Sequence, residues 1–132
     1  MFTALLVTPD NTCAEVTVDN YKQIQQLVGG PFDIARTEVR GDDVSIYVHD
    51  EGLIIGLPTN TIATVLRQMP YVYLPLEERH RMPPLVGPAL IGGGVDAEGN
   101  SLSISDHTRD AVESIMQAIT KIAAVMAEAN HD

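Results

Sequence analysis

An imidazole beside two carboxylates is the material of metal sites and of acid/base catalysis, and the chain offers one such group, His49-Asp50-Glu51. Either chemistry needs the three side chains to converge on one point. Neighbours in a strand or turn point apart, so the expected reading is a solvated hairpin turn. A second cluster, Glu77, Glu78, Arg79, His80 and Arg81, lies in a stretch, 70–88, that holds five of the eight prolines. Tyr71, Tyr73 and Met82 flank those charges with large apolar groups. Tyrosine and arginine are favoured at interface hot spots, so the cluster reads as a surface for a partner and not as a catalytic centre. Gly92-Gly93-Gly94 lacks the Gly-Lys-Ser/Thr ending of a phosphate-binding loop and reads as a bend in a sheet. Cys13 has no histidine near it in sequence, and His107 beside Asp106 belongs to a helix start. Ser101, Ser103 and Ser105 alternate along one outward face, outside any nucleophile elbow. No catalytic residue, metal ligand set or cofactor site is assigned.

The elements that must position these groups follow from periodicity and turn signals. Strands are predicted at about 2–8, 13–18, 32–39, 43–48, 52–57, 86–91 and 101–105. Close hairpin signals without βαβ alternation predict an α+β domain whose sheet is a mainly antiparallel meander. Helices are predicted at about 20–28 and 60–69, both covering one face of the sheet. Asn20 with Gln23 has capping-box spacing, Gly29-Gly30-Pro31 stops the first helix, and Asn60 caps the second. The proline-rich stretch fits no regular element and reads as a long excursion, of the kind that is either functional or flexible.

From Asp106 to His131 there is no glycine or proline, and alanine is abundant, which predicts one long helix capped by Asp106. Val112, Ile115, Ile119, Ile122 and Met126 recur at alternating spacings of three and four, the seam used by paired helices. Met116, Ala118, Ala123, Ala124 and Val125 widen that apolar surface beyond one stripe. A homodimer interface through the five seam residues is therefore expected. Residues 1–105 then form an α+β core, with 106–132 either part of the same domain or a dimerisation element.

A chain of 132 residues with 45% hydrophobic content can bury a core, and its single cysteine excludes an internal disulfide. Eighteen acids against eight bases give a net charge of −10. Such a field repels phosphate backbones and anionic membranes, so no direct nucleic-acid or membrane binding is expected. The first residues carry no basic region and their apolar run ends by Pro9, so a cytoplasmic protein without a secretory signal is expected.

Three stretches carry a resemblance: Leu27-Val28-Gly29-Gly30-Pro31-Phe32, the run from Asp50-Glu51-Gly52 through Gly56-Leu57-Pro58-Thr59-Asn60 to Ala63, and Val86-Gly87-Pro88-Ala89-Leu90-Ile91-Gly92. In order and separation they resemble a domain-of-unknown-function family of small phage and bacterial proteins. The resemblance covers roughly residues 1–105 and implies a phage or mobile-element protein acting inside a bacterial cell. It supplies no activity and no catalytic residues. The expected function is that of an accessory protein that binds a host or phage protein through Tyr71, Tyr73, Glu77, Glu78, Arg79, His80, Arg81 and Met82. The alternatives are an acidic mimic of nucleic acid, for which dense acidic stripes are lacking, and a small enzyme or ligand-binding domain.

Overall fold

The computed structural model describes residues 1–79 and 81–129. Five strands, β1 (Phe2–Val7), β2 (Cys13–Val18), β3 (Phe32–Val39), β4 (Asp42–His49) and β5 (Ala89–Gly92), form one sheet in the order β2-β1-β5-β4-β3. Every neighbouring pair is antiparallel. Helices α1 (Tyr21–Val28), α2 (Thr61–Gln68), α3 (Leu76–Arg79) and α4 (Asp106–Ala129) complete an α+β architecture.

The hairpins β1–β2 and β3–β4 form. Arg40 and Gly41 alone make the β3–β4 connection, with φ of 52° and 87°. Two consecutive left-handed residues give the turn whose twist matches that of the flanking strands. The sheet is not a meander, however. β5 is inserted between β1 and β4, and all four of its residues are buried, because helices cover the sheet on both sides. Pro88 before β5 and the glycines after it keep this central strand short.

Two of the expected strands are absent. Residues 52–57 form consecutive turns, since β5 already occupies the edge of β4 that they would need. Residues 101–105 make a single bridge, Val95–Ser101, and then dock on β1, where the Ile104 amide donates to the Thr3 carbonyl at 2.9 Å. Glycine at 93 permits that approach, because a Cβ there would stand 2.3 Å from the Ser103 carbonyl oxygen.

The helices do not share a face. Ile24 of α1 packs with Phe2, Ala4, Tyr47 and Leu90 on one side of the sheet. Ile62 and Leu66 of α2, with Val112 and Ile115 of α4, pack with Leu5, Val7, Ile46 and Ile91 on the other. Alternate residues of β4 and β5 feed the two cores, as the twofold side-chain period of a strand requires.

The caps follow the sequence closely. The Asn20 and Asn60 side chains accept from the amides of Gln23 (3.2 Å) and Ala63 (3.1 Å), and Gly29 at φ 94° closes α1. Gln23 reaches back to the Asp19 amide and not to that of Asn20. Asp106 does not cap α4. Ser105 does, its hydroxyl accepting from the Thr108 amide at 3.2 Å. An ion pair from Arg109 to Glu15 (2.6 Å) and a hydrogen bond between His107 and Asp42 (3.0 Å) tie the start of α4 to β2 and β4.

Candidate functional site

The three stretches quoted above converge at one end of the sheet. His49 closes β4 with its ring laid on the turn after α1: a Cβ on Gly30 would lie 2.8 Å from Nε2. The other ring nitrogen, Nδ1, accepts from the Glu51 amide at 3.0 Å. The ring is thereby wedged between the Gly30 backbone on one side and the Glu51 amide on the other. The Asp50 amide donates to the Pro31 carbonyl at 3.0 Å, locking the two turns together.

Residues 50–57 then wind through a compact double turn. Its bonds run from the amides of Gly52 to the His49 carbonyl (3.2 Å), Ile55 to Glu51 (3.0 Å) and Leu57 to Gly52 (2.9 Å). The segment at 85–87 braces it from behind. A Cβ on Gly52 would stand 2.7 Å from Val86, and one on Gly87, whose φ is 74°, would stand 2.7 Å from Leu57. Fully buried Asn60 fastens the assembly, with Nδ2 donating to the carbonyls of Val7 (3.0 Å) and Gly87 (2.9 Å) while Oδ1 caps α2.

What this frame presents to solvent is Leu53-Ile54-Ile55. Ile54 is 85% exposed and its two neighbours are more than half exposed. The apolar run over 52–57 predicts a strand; the structure makes it a turn with these residues outermost. The available signal was the pair of glycines, Gly52 and Gly56, bracketing them at turn spacing.

The proline-rich excursion runs out from α2 along β3 and back. It contains a 3-10 turn, Met69–Tyr71, and the single-turn helix α3, so it holds some regular structure after all. Tyr73, Glu77, Glu78 and Arg81 are exposed, while Tyr71 and Met82 are half-buried. Arg79 ends α3, and His80 lies outside the described residues. Two clefts share β3 as a wall. One, of about 240 Å³, lies between Asp33–Ala35, Leu53, Arg67 and Pro83–Val86. The other, more open and of about 430 Å³, lies between Arg36–Glu38, Pro70, Tyr71 and Tyr73. Exposed apolar tip, clefts and tyrosines thus follow one side of the molecule.

The remaining candidates have structural employment. His49 Nδ1 and Asp50 Oδ1 approach to 3.7 Å, but among the described residues no three His, Cys, Asp or Glu side chains gather as a metal would require. The Ser101 and Tyr47 hydroxyls hydrogen-bond at 2.8 Å, and the Ser103 hydroxyl accepts from the Thr3 amide at 2.9 Å. Burial pushes the Cys13 thiol pKa up, with nearby Arg109 pulling weakly the other way. A nucleophilic thiol needs the opposite shift.

The expected dimer seam is divided by the fold. Val112 and Ile115 are buried in the chain's own core and are not free for a partner. Ile119 is partly buried, and Ile122 and Met126 are exposed. No helix among the described residues is long and apolar enough to cross a membrane. A family model described as a domain of unknown function (DUF3846) matches residues 2–119. No curated protein and no solved structure matches the chain.

Proposed function

This chain belongs to the domain-of-unknown-function family DUF3846, and from that premise we propose that it acts without catalysis, by binding another protein. The partner is a host or phage protein, and the setting is the bacterial cytoplasm, as an accessory factor of a phage or mobile element. The recognition surface is the side of the molecule formed by Leu53-Ile54-Ile55, the clefts along β3 and the excursion around Tyr73.

The observation that carries the reading is the tip. Scattered apolar residues are normal on any surface, and a slack loop can fold them inward. Here three consecutive large aliphatic residues stand on a turn closed by its own hydrogen bonds and braced by 85–87. Burying such side chains is worth about 1.5–3 kcal/mol each, a gain that this frame withholds until a partner covers them. Tyr73, 78% exposed, and Leu76 extend the apolar surface along the excursion.

Asp50 and Glu51 rim the tip, and the chain as a whole carries −10. The complementary partner presents an apolar pocket with a basic rim, and attraction between the two fields speeds encounter. The test compares the intact chain with Ile54→Asp and with a deletion of 76–82, as baits in bacterial lysate read by quantitative mass spectrometry. A protein retained by the intact chain is expected to fall at least about tenfold with either variant, while circular dichroism and melting stay unchanged. Equal capture by all three baits would sink the proposal.

A further inference from the structure

β3 is an outer strand of the sheet, with β4 on one side and no strand on the other. Its pairing fixes what the open side offers. Arg40 and Gly41 form a two-residue turn, and the Asp50 amide donates to the Pro31 carbonyl, so the odd positions from 31 to 39 bond to β4. Phe32, Ile34, Arg36 and Glu38 therefore direct their N–H and C=O groups away from the sheet. The Asp33 carboxylate folds onto one of these, accepting from the Ile34 amide at 2.9 Å. Among the described residues, no acceptor meets the amides of Arg36 and Glu38. We infer that a partner adds an extended strand along this edge of β3, pairing with Ile34, Arg36 and Glu38. The inference rests on the recognition surface proposed above and specifies the form of the partner that meets it.

The shape of the two clefts commits the edge to a strand. Successive side chains of a strand point to opposite faces. Yet Asp33, Ile34 and Ala35 all line the first cleft, and Arg36, Thr37 and Glu38 all line the second. Three consecutive residues line one cleft where it runs along the strand's edge and touches backbone. From 33 to 38 that edge spans about 17 Å at ~3.4 Å per residue, the length of an ordinary strand. The far walls hold Pro83 and Pro84 in one cleft and Pro70 in the other. Proline has no N–H, so the excursion supplies no donor to β3 at those points. No backbone hydrogen bond joins the two among the described residues. β2, the other outer strand, has α4 tied to it through Arg109 and Glu15.

Charge decides the chemistry of the added strand. The two clefts are lined by four carboxylates, Asp33, Asp50, Glu38 and Asp43, against two guanidinium groups, Arg36 and Arg67. The chain as a whole carries −10. A strand with Lys or Arg at alternate positions meets those acids, since opposite charges on neighbouring strands attract. Apolar side chains between them find Leu53 in the first cleft and Tyr71 and Tyr73 in the second. In such strand addition the backbone bonds give affinity and the alternate side chains give specificity. A second copy of β3 would bring the same acid excess to the edge and be repelled. The occupant is therefore a basic, alternating segment of a different protein.

Random peptides of about twelve residues, long enough to cover a strand, are panned on the full chain by mRNA display and supply the probe. Enriched peptides are expected to alternate apolar residues with Lys or Arg. Each is remade with N-methyl groups on one alternate set of its amides or on the other. One set is expected to weaken binding at least about tenfold and the other to leave it within about threefold, because a strand engages through one edge. On the unmodified chain, bound peptide is expected to slow hydrogen exchange of the Arg36 and Glu38 amides at least about tenfold. Arg36→Pro removes an outward N–H and no bond to β4, so it is expected to abolish binding where Arg36→Ala retains it. No enriched peptide, equal sensitivity to both methylation patterns, unchanged exchange at 36 and 38, or full binding by Arg36→Pro would overturn the inference. Slowed exchange there on raising the protein concentration alone would assign the edge to a second copy and overturn it too. Ile54 lines neither cleft, so Ile54→Asp is expected to bind the peptides as the parent does. Failure of the tip's role shows in lysate capture by that variant, and failure of the strand shows in the peptides, which tells the two apart.

Discussion

The double turn at 50–57 and the excursion at 69–84 are both irregular, and both contribute to the β3 side of the molecule, yet they are held in opposite ways. The turn draws hydrogen bonds from across the chain. Asp50 reaches Pro31, Gly87 reaches Pro58, and Asn60 reaches Val7, Leu85 and Gly87. Within the excursion the backbone bonds are local: Leu74 to Tyr71, Glu78 to Pro75, Arg81 to Glu78. Its longer tie is Arg67 Nη1 to the Pro83 carbonyl, at 3.4 Å. One region is a part of the core turned outward, and the other is a ribbon fastened at its two ends. Irregular backbone therefore says nothing about rigidity until its hydrogen bonds have been traced.

Asn60→Ala should break the comparison at its strongest point. It orphans two buried carbonyls and one helix-end amide, for which we expect a loss of about 3–5 kcal/mol in urea unfolding. A loss under ~1 kcal/mol would mean that the turn is braced by something else. Gly87→Ala is the next largest, at about 1–3 kcal/mol, because alanine resists a φ of 74° and its Cβ meets Leu57. Native-state hydrogen exchange sharpens the contrast without any substitution. The amides of Leu57, Asn60 and Gly87 are expected to open only with global unfolding, and those of Leu74 and Glu78 by local fluctuation. Equal protection would dissolve the distinction. The smallest effect is expected from Tyr73→Ala, within about 0.5 kcal/mol of the parent in the same urea assay.

Where bonding is local, the sequence was a good guide. The helix caps at Asn20 and Asn60, the glycine stop at 29–30 and the start of α4 are each written within a few consecutive residues. The strand expected at 52–57 failed for a non-local reason. Its apolar run is suited to a strand, but the edge of β4 that it would need belongs to Ala89–Gly92, beyond the excursion. The same distance hid the insertion of β5 and the placement of α1 opposite α2. Of the surface, Tyr73, Glu77, Glu78 and Arg81 were legible as exposed because proline and charge keep chain in water. Leu53-Ile54-Ile55 was not, since apolar composition argues for burial and only the bracing by 85–87 prevents it. In α4 the spacing told which side chains share a face; where the sheet ends decided that Val112 is covered and Ile122 is not.

The insertion of β5 also imposes a schedule. Each hairpin closes over a few residues and can form early, but β1 and β4 touch no common strand until residues 89–92 arrive between them. Loop closure of that length must be completed before the central contacts repay it, which slows folding relative to a meander of equal size. During synthesis the two halves of the sheet emerge as unjoined pairs, each with an open edge awaiting the same short strand. Leu90→Ala is accordingly expected to slow refolding in stopped-flow experiments more than it speeds unfolding; the reverse partition would place the joining step after the barrier.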